Sequence, residues 1–78
     1  MSRPVAFLSD YGSVDEFVGV CKGVMLGRAP DLSIIDLTHE IPPHDIRAGA
    51  LTLVRAVQYL PEGVVVLAVV DPGVGTDR

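Results

Sequence analysis

The chain is predicted to be an α/β protein with the order β-α-β-α-β, the start of a parallel-sheet, Rossmann-like domain. Three short apolar runs have the length and composition of strands, and two other segments carry apolar residues at helical spacing. Turn residues separate these segments, and such alternation favours parallel strands joined by right-handed crossovers. Because only 5% of the residues are aromatic, the core must be mainly aliphatic.

The first strand is predicted over residues 5–9, an apolar run typical of a parallel sheet that is covered on both faces. Ser13 and Glu16 have the spacing of a capping box, in which the Ser side chain accepts from the N–H of Glu16, so a helix is predicted to begin there. Pro30 ends this helix, because it disfavours helical geometry at Ala29. The predicted apolar stripe of the helix comprises Phe17, Val20, Cys21, Val24 and Met25.

The second strand, residues 32–37, leads into a loop over residues 38–44 that two prolines stiffen. Asp45 can cap a second helix. The third strand is predicted over residues 63–70, with a sharp turn beginning at Asp71. The predicted buried face of the second helix comprises Ile46, Ala50, Leu53, Val54, Val57 and Leu60.

The turns that follow the three strands begin at Asp10, Thr38 and Asp71. Parallel strands point the same way, so these turns are predicted to share the carboxyl edge of the sheet, where α/β proteins bind ligands. Two helices can cover little more than one face of a three-stranded sheet, and we expect one face or one sheet edge to be left bare. For this reason the natural chain is expected to continue.

Composition excludes several classes of function. A net charge of −4 with scattered basic residues argues against nucleic acid as the main partner. Neither a signal peptide nor a membrane span is expected, since the longest apolar run, residues 64–70, is too short to cross a bilayer. The single cysteine, Cys21, cannot form an internal disulfide and favours a reducing, cytoplasmic setting. Its place on the helical stripe predicts a buried packing residue.

Carboxylates near strand ends and the first helix are the candidate site residues. Asp10 can accept hydrogen bonds from ribose hydroxyls or simply form a turn. Asp15 can complement the helix dipole or meet a ligand's ammonium group. Asp71 and Arg78 flank a loop with two glycines that can fold back to pair them. A surface ion pair and a phosphate-binding loop are the alternatives for that segment.

The two histidines, His39 and His44, flank the prolines. Their spacing does not match a helical metal pair and no third ligand stands at a recognised spacing, so no metal site is expected, with zinc kept as the alternative. His44 can instead stack on the ring of a ligand.

Four segments together resemble the S-adenosyl-L-methionine hydrolases, also called S-adenosyl-L-methionine hydroxide adenosyltransferases, which are relatives of fluorinase and chlorinase. The resemblance implies cleavage of S-adenosyl-L-methionine by water to adenosine and L-methionine. It also implies that residues 1–78 are the N-terminal part of an α/β domain, with a C-terminal β domain absent from this chain, and a homotrimer whose sites lie between subunits. The segments are SDYG at 9–12, DEFVGVCKG at 15–23, IDLTHEIPP at 35–43 and VDPGVGT at 70–76.

The resemblance also implies roles for the substrate-binding residues. Asp10 would hold the ribose hydroxyls, and Asp15, with the backbone near Phe17, would lie at the methionine end. His44 stands where the fluorinase has a ring-stacking Trp.

Asp71 and Arg78 match the first two members of an Asp–Arg–His set that handles the attacking water. The His of that set comes later in the family's chains, and neither histidine of this chain takes its place. Halogenating relatives carry Tyr where this chain has Asp71, and a carboxylate there would repel a halide, so hydrolysis is predicted over halogenation. No cofactor is expected.

Two further classes of function stay open. One is a non-catalytic module that binds adenosine or S-adenosyl-L-methionine, or an inactive fragment. The other, a dehydrogenase domain, is disfavoured because no Gly-x-Gly-x-x-Gly follows the first strand.

Overall fold

Strands and helices alternate as the sequence predicts, which confirms the α/β fold class. The structure is a computed structural model that describes residues 3–71. Within that part of the chain, no helix is long and apolar enough to cross a membrane. The elements are β1 (Arg3–Ser9), α1 (Phe17–Arg28), β2 (Leu32–Thr38), α2 (Ile46–Val57) and β3 (Val65–Val69).

The three strands form a parallel sheet in the order β2-β1-β3. The chain passes through α1 to one side of β1, and then through α2 back across β1 to its other side. This is the beginning of the doubly wound order 2-1-3, in which the ligand crevice lies beyond the carboxyl ends of the first and third strands. The topology therefore places the expected ligand site at the residues that follow Ser9 and Val69.

The two helices lie on opposite faces of the sheet. Lys22 of α1 is bonded to Asp36 of β2, and Asp36 stands beside Phe7 in the register of the sheet. Gly49 of α2 approaches the next residue of β1, Leu8. Because successive side chains of a strand point to opposite faces, α1 covers the Phe7 face and α2 the Leu8 face. Each face of the sheet therefore receives a single helix.

Burial is concentrated in the central strand, β1. The buried apolar residues of the described chain are Val5, Ala6, Phe7, Leu8 and Ile41. By contrast, the consecutive residues Val65 and Val66 of the edge strand β3 are both exposed, so both faces of that strand are partly open. The expectation of a bare edge is confirmed.

The predicted stripe of α1 is largely uncovered. Phe17, Val20 and Val24 are exposed, and Cys21 is half-buried rather than buried. The three-stranded sheet is too narrow to provide an apolar surface under the whole helix face.

The two helices begin in different ways. The capping box predicted for α1 is wrong, because the helix begins only at Phe17 and the N-cap residue, Glu16, makes no side-chain capping bond. Asp15 acts instead, and its Oδ1 accepts from the Phe17 N–H at 3.0 Å. The N-cap predicted for α2 is confirmed, since Asp45 Oδ1 accepts from the Ala48 N–H at 2.9 Å. The buried face predicted for α2 is wrong, because Ile46, Val54 and Val57 are exposed.

Candidate functional site

Three segments that follow strands meet at the carboxylate of Asp10. Its Oδ2 accepts hydrogen bonds from the backbone N–H of His44, at 3.0 Å, and of Asp71, at 3.2 Å. The backbone N–H of Asp10 itself donates to the carbonyl of Val69 at 3.2 Å. One side chain thus joins the end of β1, the loop before α2 and the end of β3. The prediction that these turns share the carboxyl edge of the sheet is confirmed.

The two oxygens of the Asp10 carboxylate differ in their surroundings. Oδ2 receives two backbone N–H groups, which hold the plane of the carboxylate in place. Oδ1 makes no hydrogen bond within residues 3–71, and the residue is only half-buried. A carboxylate oxygen oriented in this way can accept from a hydroxyl group of a ligand.

His44 is held in an unusual backbone conformation beside this carboxylate. Its φ of 67° lies in the left-handed region, which is unfavourable for residues other than glycine and recurs at functional sites. Its backbone N–H bonds to Asp10, and its Nδ1 contacts the carbonyl oxygen of Asp71. A carbonyl oxygen can only accept, so Nδ1 carries the hydrogen and Nε2 remains for another partner.

The aromatic pair at the start of α1 forms a second part of the site. The rings of Tyr11 and Phe17 meet edge to face, with centroids 4.7 Å apart. Burial raises the pKa of the Tyr11 phenol, and electrostatic interactions with Cys21, Asp10 and Asp71 raise it further. The phenol therefore stays protonated at neutral pH and can donate a hydrogen bond.

The sequence prediction did not include Tyr11 among the site residues. Its position directly after the strand-end residue Asp10 was the available signal. The predicted residues Asp15 and Phe17 lie at the helix start, where Asp15 is exposed and caps α1. No hydrogen bond within residues 3–71 joins Asp15 to Asp10.

A second polar cluster lies beside the first, and its centre is His39. Its ring is 7% exposed, with Nδ1 2.6 Å from Ser9 Oγ and Nε2 2.8 Å from Asp36 Oδ1. The ring also meets Phe7 edge to face. Both ring nitrogens thus have protein partners, and within the described residues no three His, Cys, Asp or Glu side chains are grouped to hold a metal ion.

Sequence reasoning missed the partners of His39. The available signal was a serine at the end of one strand together with an Asp-x-x-His pattern, Asp36 to His39, at the end of its neighbour.

Arg78 and the glycine loop before it lie outside the described residues. The pairing of Asp71 with Arg78 therefore stays a prediction. Asp71 itself is half-buried at the edge of the crevice, with its backbone N–H bonded to Asp10 and its carbonyl oxygen to His44.

Comparison with known proteins connects this geometry to a family. The family model described as the SAM hydroxide adenosyltransferase N-terminal domain matches residues 5–78. An (R)-S-adenosyl-L-methionine hydrolase of Thermus thermophilus is 58% identical over 97% of this chain and 30% of its own length. A fluorinase of Actinoplanes is 39% identical over 92% of this chain and 24% of its own length.

A solved structure has the same fold. The crystal structure of an uncharacterized conserved protein from Thermotoga maritima superposes with a TM-score of 0.85 at 43% identity, and the match covers 95% of this chain and 28% of that one. The present chain thus spans about 30% of the length of the hydrolase that it matches.

Proposed function

The chain belongs to the SAM hydroxide adenosyltransferase N-terminal domain family, and from this we propose that its protein hydrolyses S-adenosyl-L-methionine to adenosine and L-methionine. The observation that carries the proposal is the convergence of Asp10, His44 and Asp71 at the carboxyl edge, in a chain 58% identical to a protein named as such a hydrolase. Doubly wound α/β proteins bind their ligands at this edge of the sheet.

Asp10 would bind the ribose. Its Oδ2 is occupied by two backbone N–H groups, and its Oδ1 is open to accept from a ribose hydroxyl. Bonds between a charged carboxylate and a hydroxyl are stronger than neutral ones, so this contact would fix the sugar and thereby the position of its C5′.

Asp71 and Arg78 would handle the attacking water. Asp71 would orient the water and accept its proton, while Arg78 would stabilise the hydroxide character that develops. The oxygen of the water would form a bond to C5′ as the C5′–sulfur bond breaks. The electron pair of the broken C5′–sulfur bond would pass to the sulfonium sulfur. The leaving group is then a neutral thioether, which needs no general acid, and the reaction needs no cofactor.

The carboxylate of Asp71 favours hydrolysis over halogenation. A halide approaching C5′ beside Asp71 would meet a like charge, whereas a water molecule can donate to that carboxylate. This argument separates the chain from the fluorinase that it resembles at 39% identity.

The remaining assignments concern the rest of the substrate. His44, whose ring lies beside Asp71, would stack on or border the adenosine. Asp15 and the backbone near Phe17, at the start of α1, would face the methionine end, where the carboxylate can meet the ammonium group.

We also propose the wider setting of the enzyme. Residues 1–78 would form the N-terminal part of the substrate-binding domain, and a C-terminal β domain would complete the site across the interfaces of a cytoplasmic homotrimer. Such an assembly would account for the uncovered apolar surface of α1 and β3.

The decisive experiment incubates the full-length protein with S-adenosyl-L-methionine in water enriched in ¹⁸O and separates the products by chromatography with mass detection. We expect adenosine with one ¹⁸O at the 5′ hydroxyl, together with unlabelled methionine. Intact substrate that stays bound would instead identify a binding module. Formation of a 5′-halogenated nucleoside on addition of fluoride or chloride would identify a halogenase.

A further inference from the structure

A chain of hydrogen bonds runs from α1 through β2 to the end of β1. Lys22 Nζ lies 2.7 Å from Asp36 Oδ2, and the other oxygen of Asp36 lies 2.8 Å from His39 Nε2. The opposite ring nitrogen of His39, Nδ1, lies 2.6 Å from Ser9 Oγ. Ser9 directly precedes Asp10, so this chain of bonds ends beside the proposed ribose-binding carboxylate.

The direction of each hydrogen bond follows from the partners. Although partial burial opposes it, hydrogen bonds from His39 and Lys22 lower the pKa of Asp36, so this carboxylate is ionised and can only accept. In the neutral imidazole of His39, Nε2 therefore donates to Asp36 and Nδ1 accepts the hydroxyl hydrogen of Ser9. The Ser9 oxygen in turn accepts from the backbone N–H of Tyr11 at 3.3 Å. Each hydrogen bond from Lys22 to Tyr11 thus joins one donor to one acceptor.

His39 also holds the turn through its main chain. Its carbonyl oxygen accepts from the N–H of Gly12 at 2.7 Å, and Gly12 has a φ of 81°, which only glycine adopts readily. The backbone on the far side of Asp10 is thus fixed at Tyr11 through Ser9 and at Gly12 through His39. This leaves the carboxylate of Asp10 little freedom to leave its position.

The same three residue types form the nucleophilic site of serine hydrolases, yet Ser9 cannot act in that way here. Its exposed fraction is 0%, and its oxygen already accepts from a backbone N–H. A nucleophile must reach a substrate atom. The Ser9 hydroxyl therefore has no access to a substrate, and its hydrogen bonds act on the neighbouring turn.

We propose that Ser9, His39 and Asp36 are positioning residues, which hold the turn so that Asp10 presents Oδ1 to the ribose hydroxyls of the substrate. The inference rests on the proposed function in that it takes Asp10 as the ribose-binding residue. It adds a supporting hydrogen-bond network that determines how selectively the site recognises a ribose over a deoxygenated sugar.

The test compares two ligands in the full-length protein by calorimetry: adenosine and 2′,3′-dideoxyadenosine. Ser9→Ala removes the acceptor for the Tyr11 N–H, and we expect the Kd for adenosine to rise about tenfold, the equivalent of one hydrogen bond. The Kd for the dideoxy analogue should change less than about twofold, because that ligand has no hydroxyl for Asp10. Ser33→Ala, the same change at an exposed serine of β2, is the matched control.

Two substitutions of the histidine separate positioning from simple loss of stability. His39→Asn places an amide oxygen near the site of Nδ1 and keeps an acceptor for Ser9, whereas His39→Gln places its amide near Nε2 and keeps the bond to Asp36. Both remove a buried ring, so both should lower the temperature of unfolding. Only His39→Gln should reproduce the selective loss of adenosine binding.

Equal weakening of adenosine and the dideoxy analogue in Ser9→Ala and His39→Gln would overturn the proposal, as would identical Kd values for the two histidine variants. Because the readout is binding, it does not depend on turnover. A wild-type protein that binds adenosine more tightly than the analogue but releases no adenosine from S-adenosyl-L-methionine would refute the hydrolase proposal alone. A wild-type protein that does not distinguish the ligands would refute the positioning proposal.

Discussion

The carboxylate of Asp10 accepts a hydrogen bond from the backbone N–H of Asp71 at 3.2 Å, joining residues 61 positions apart in the chain. This bond connects the end of the central strand to the end of its neighbour β3 and places the two acidic residues at one edge of the crevice. In the proposed reaction the first residue holds the sugar and the second directs the water. Because Asp10 and Asp71 follow adjacent strands, the pairing of β1 with β3 sets the distance between the sugar-binding and water-directing residues.

Replacement of Asp10 by alanine should reduce both stability and ligand binding. The N–H groups of His44 and Asp71 would lose their common acceptor, and an unsatisfied partly buried donor costs about 1–3 kcal/mol. Urea unfolding should show a loss of that size, and adenosine should bind at least tenfold more weakly. Asp31→Ala is the control, because that side chain is exposed. Equal effects of the two substitutions would contradict the role of Asp10.

Replacement of Asp71 by asparagine should separate binding from chemistry. The amide keeps the shape of the side chain but cannot accept the proton of the attacking water. Release of adenosine should fall by about 10²–10⁴, the usual contribution of a general base. The Kd of the substrate, measured by calorimetry, should change little. Unchanged turnover in the full-length enzyme would show that Asp71 does not handle the water.

Asp36 should make the protein sensitive to acid. Its pKa in the folded protein lies below the ordinary value of 3.8. The ionised carboxylate of Asp36 therefore stabilises the folded state. This contribution is fully present above the ordinary pKa and is lost as the pH falls through the lowered pKa. Since 38% of the side chain is exposed, solvent screening limits the contribution to about 1 kcal/mol or less.

The matched variant for this pH dependence is Asp36→Asn, which cannot ionise. Urea unfolding at a series of pH values below 5 should show a steeper loss for the wild type than for this variant. Parallel curves would exclude Asp36 as a source of the acid sensitivity.

The fold was predictable because its determinants are local. The apolar runs define the strands, and Asp45 marks the start of α2 as its position predicts. The start of α1 was not predictable from the Ser13–Glu16 spacing, because Asp15 competes for the same helix terminus and forms the bond to Phe17. Two adjacent capping signals cannot be ranked without the path of the preceding turn.

The site was predictable only in part, because its side chains meet through the topology. The alternation of elements predicts that Asp10 and Asp71 share the carboxyl edge of the sheet, and the observed strand order places them side by side. The bond between Ser9 and His39 depends on the register of β1 against β2, including an irregularity after Phe7. Such a register has no signature in the individual strands.

Gly49 should be intolerant of even one added methyl group. A Cβ at this position of α2 would lie 2.9 Å from the Val70 side chain, closer than carbon atoms approach without a shift. We expect Gly49→Ala to destabilise the protein by about 1–3 kcal/mol in thermal or urea unfolding, as overpacking does. Gly27→Ala on α1 is the control, since nothing lies within 4 Å of its added methyl and alanine favours the helix. A stabilised Gly49→Ala variant would show that α2 can move away from the sheet.

Because His44 has a left-handed conformation, we expect glycine and alanine at this position to differ in stability. At a φ of 67° alanine keeps the strain of the backbone, whereas glycine relieves it. His44→Gly should therefore be about 1 kcal/mol more stable than His44→Ala in urea unfolding. Both variants lose the ring that contacts Asp71, so both should bind adenosine more weakly than the wild type. If His44→Gly were less stable than His44→Ala, the left-handed conformation of His44 would not carry the expected backbone cost.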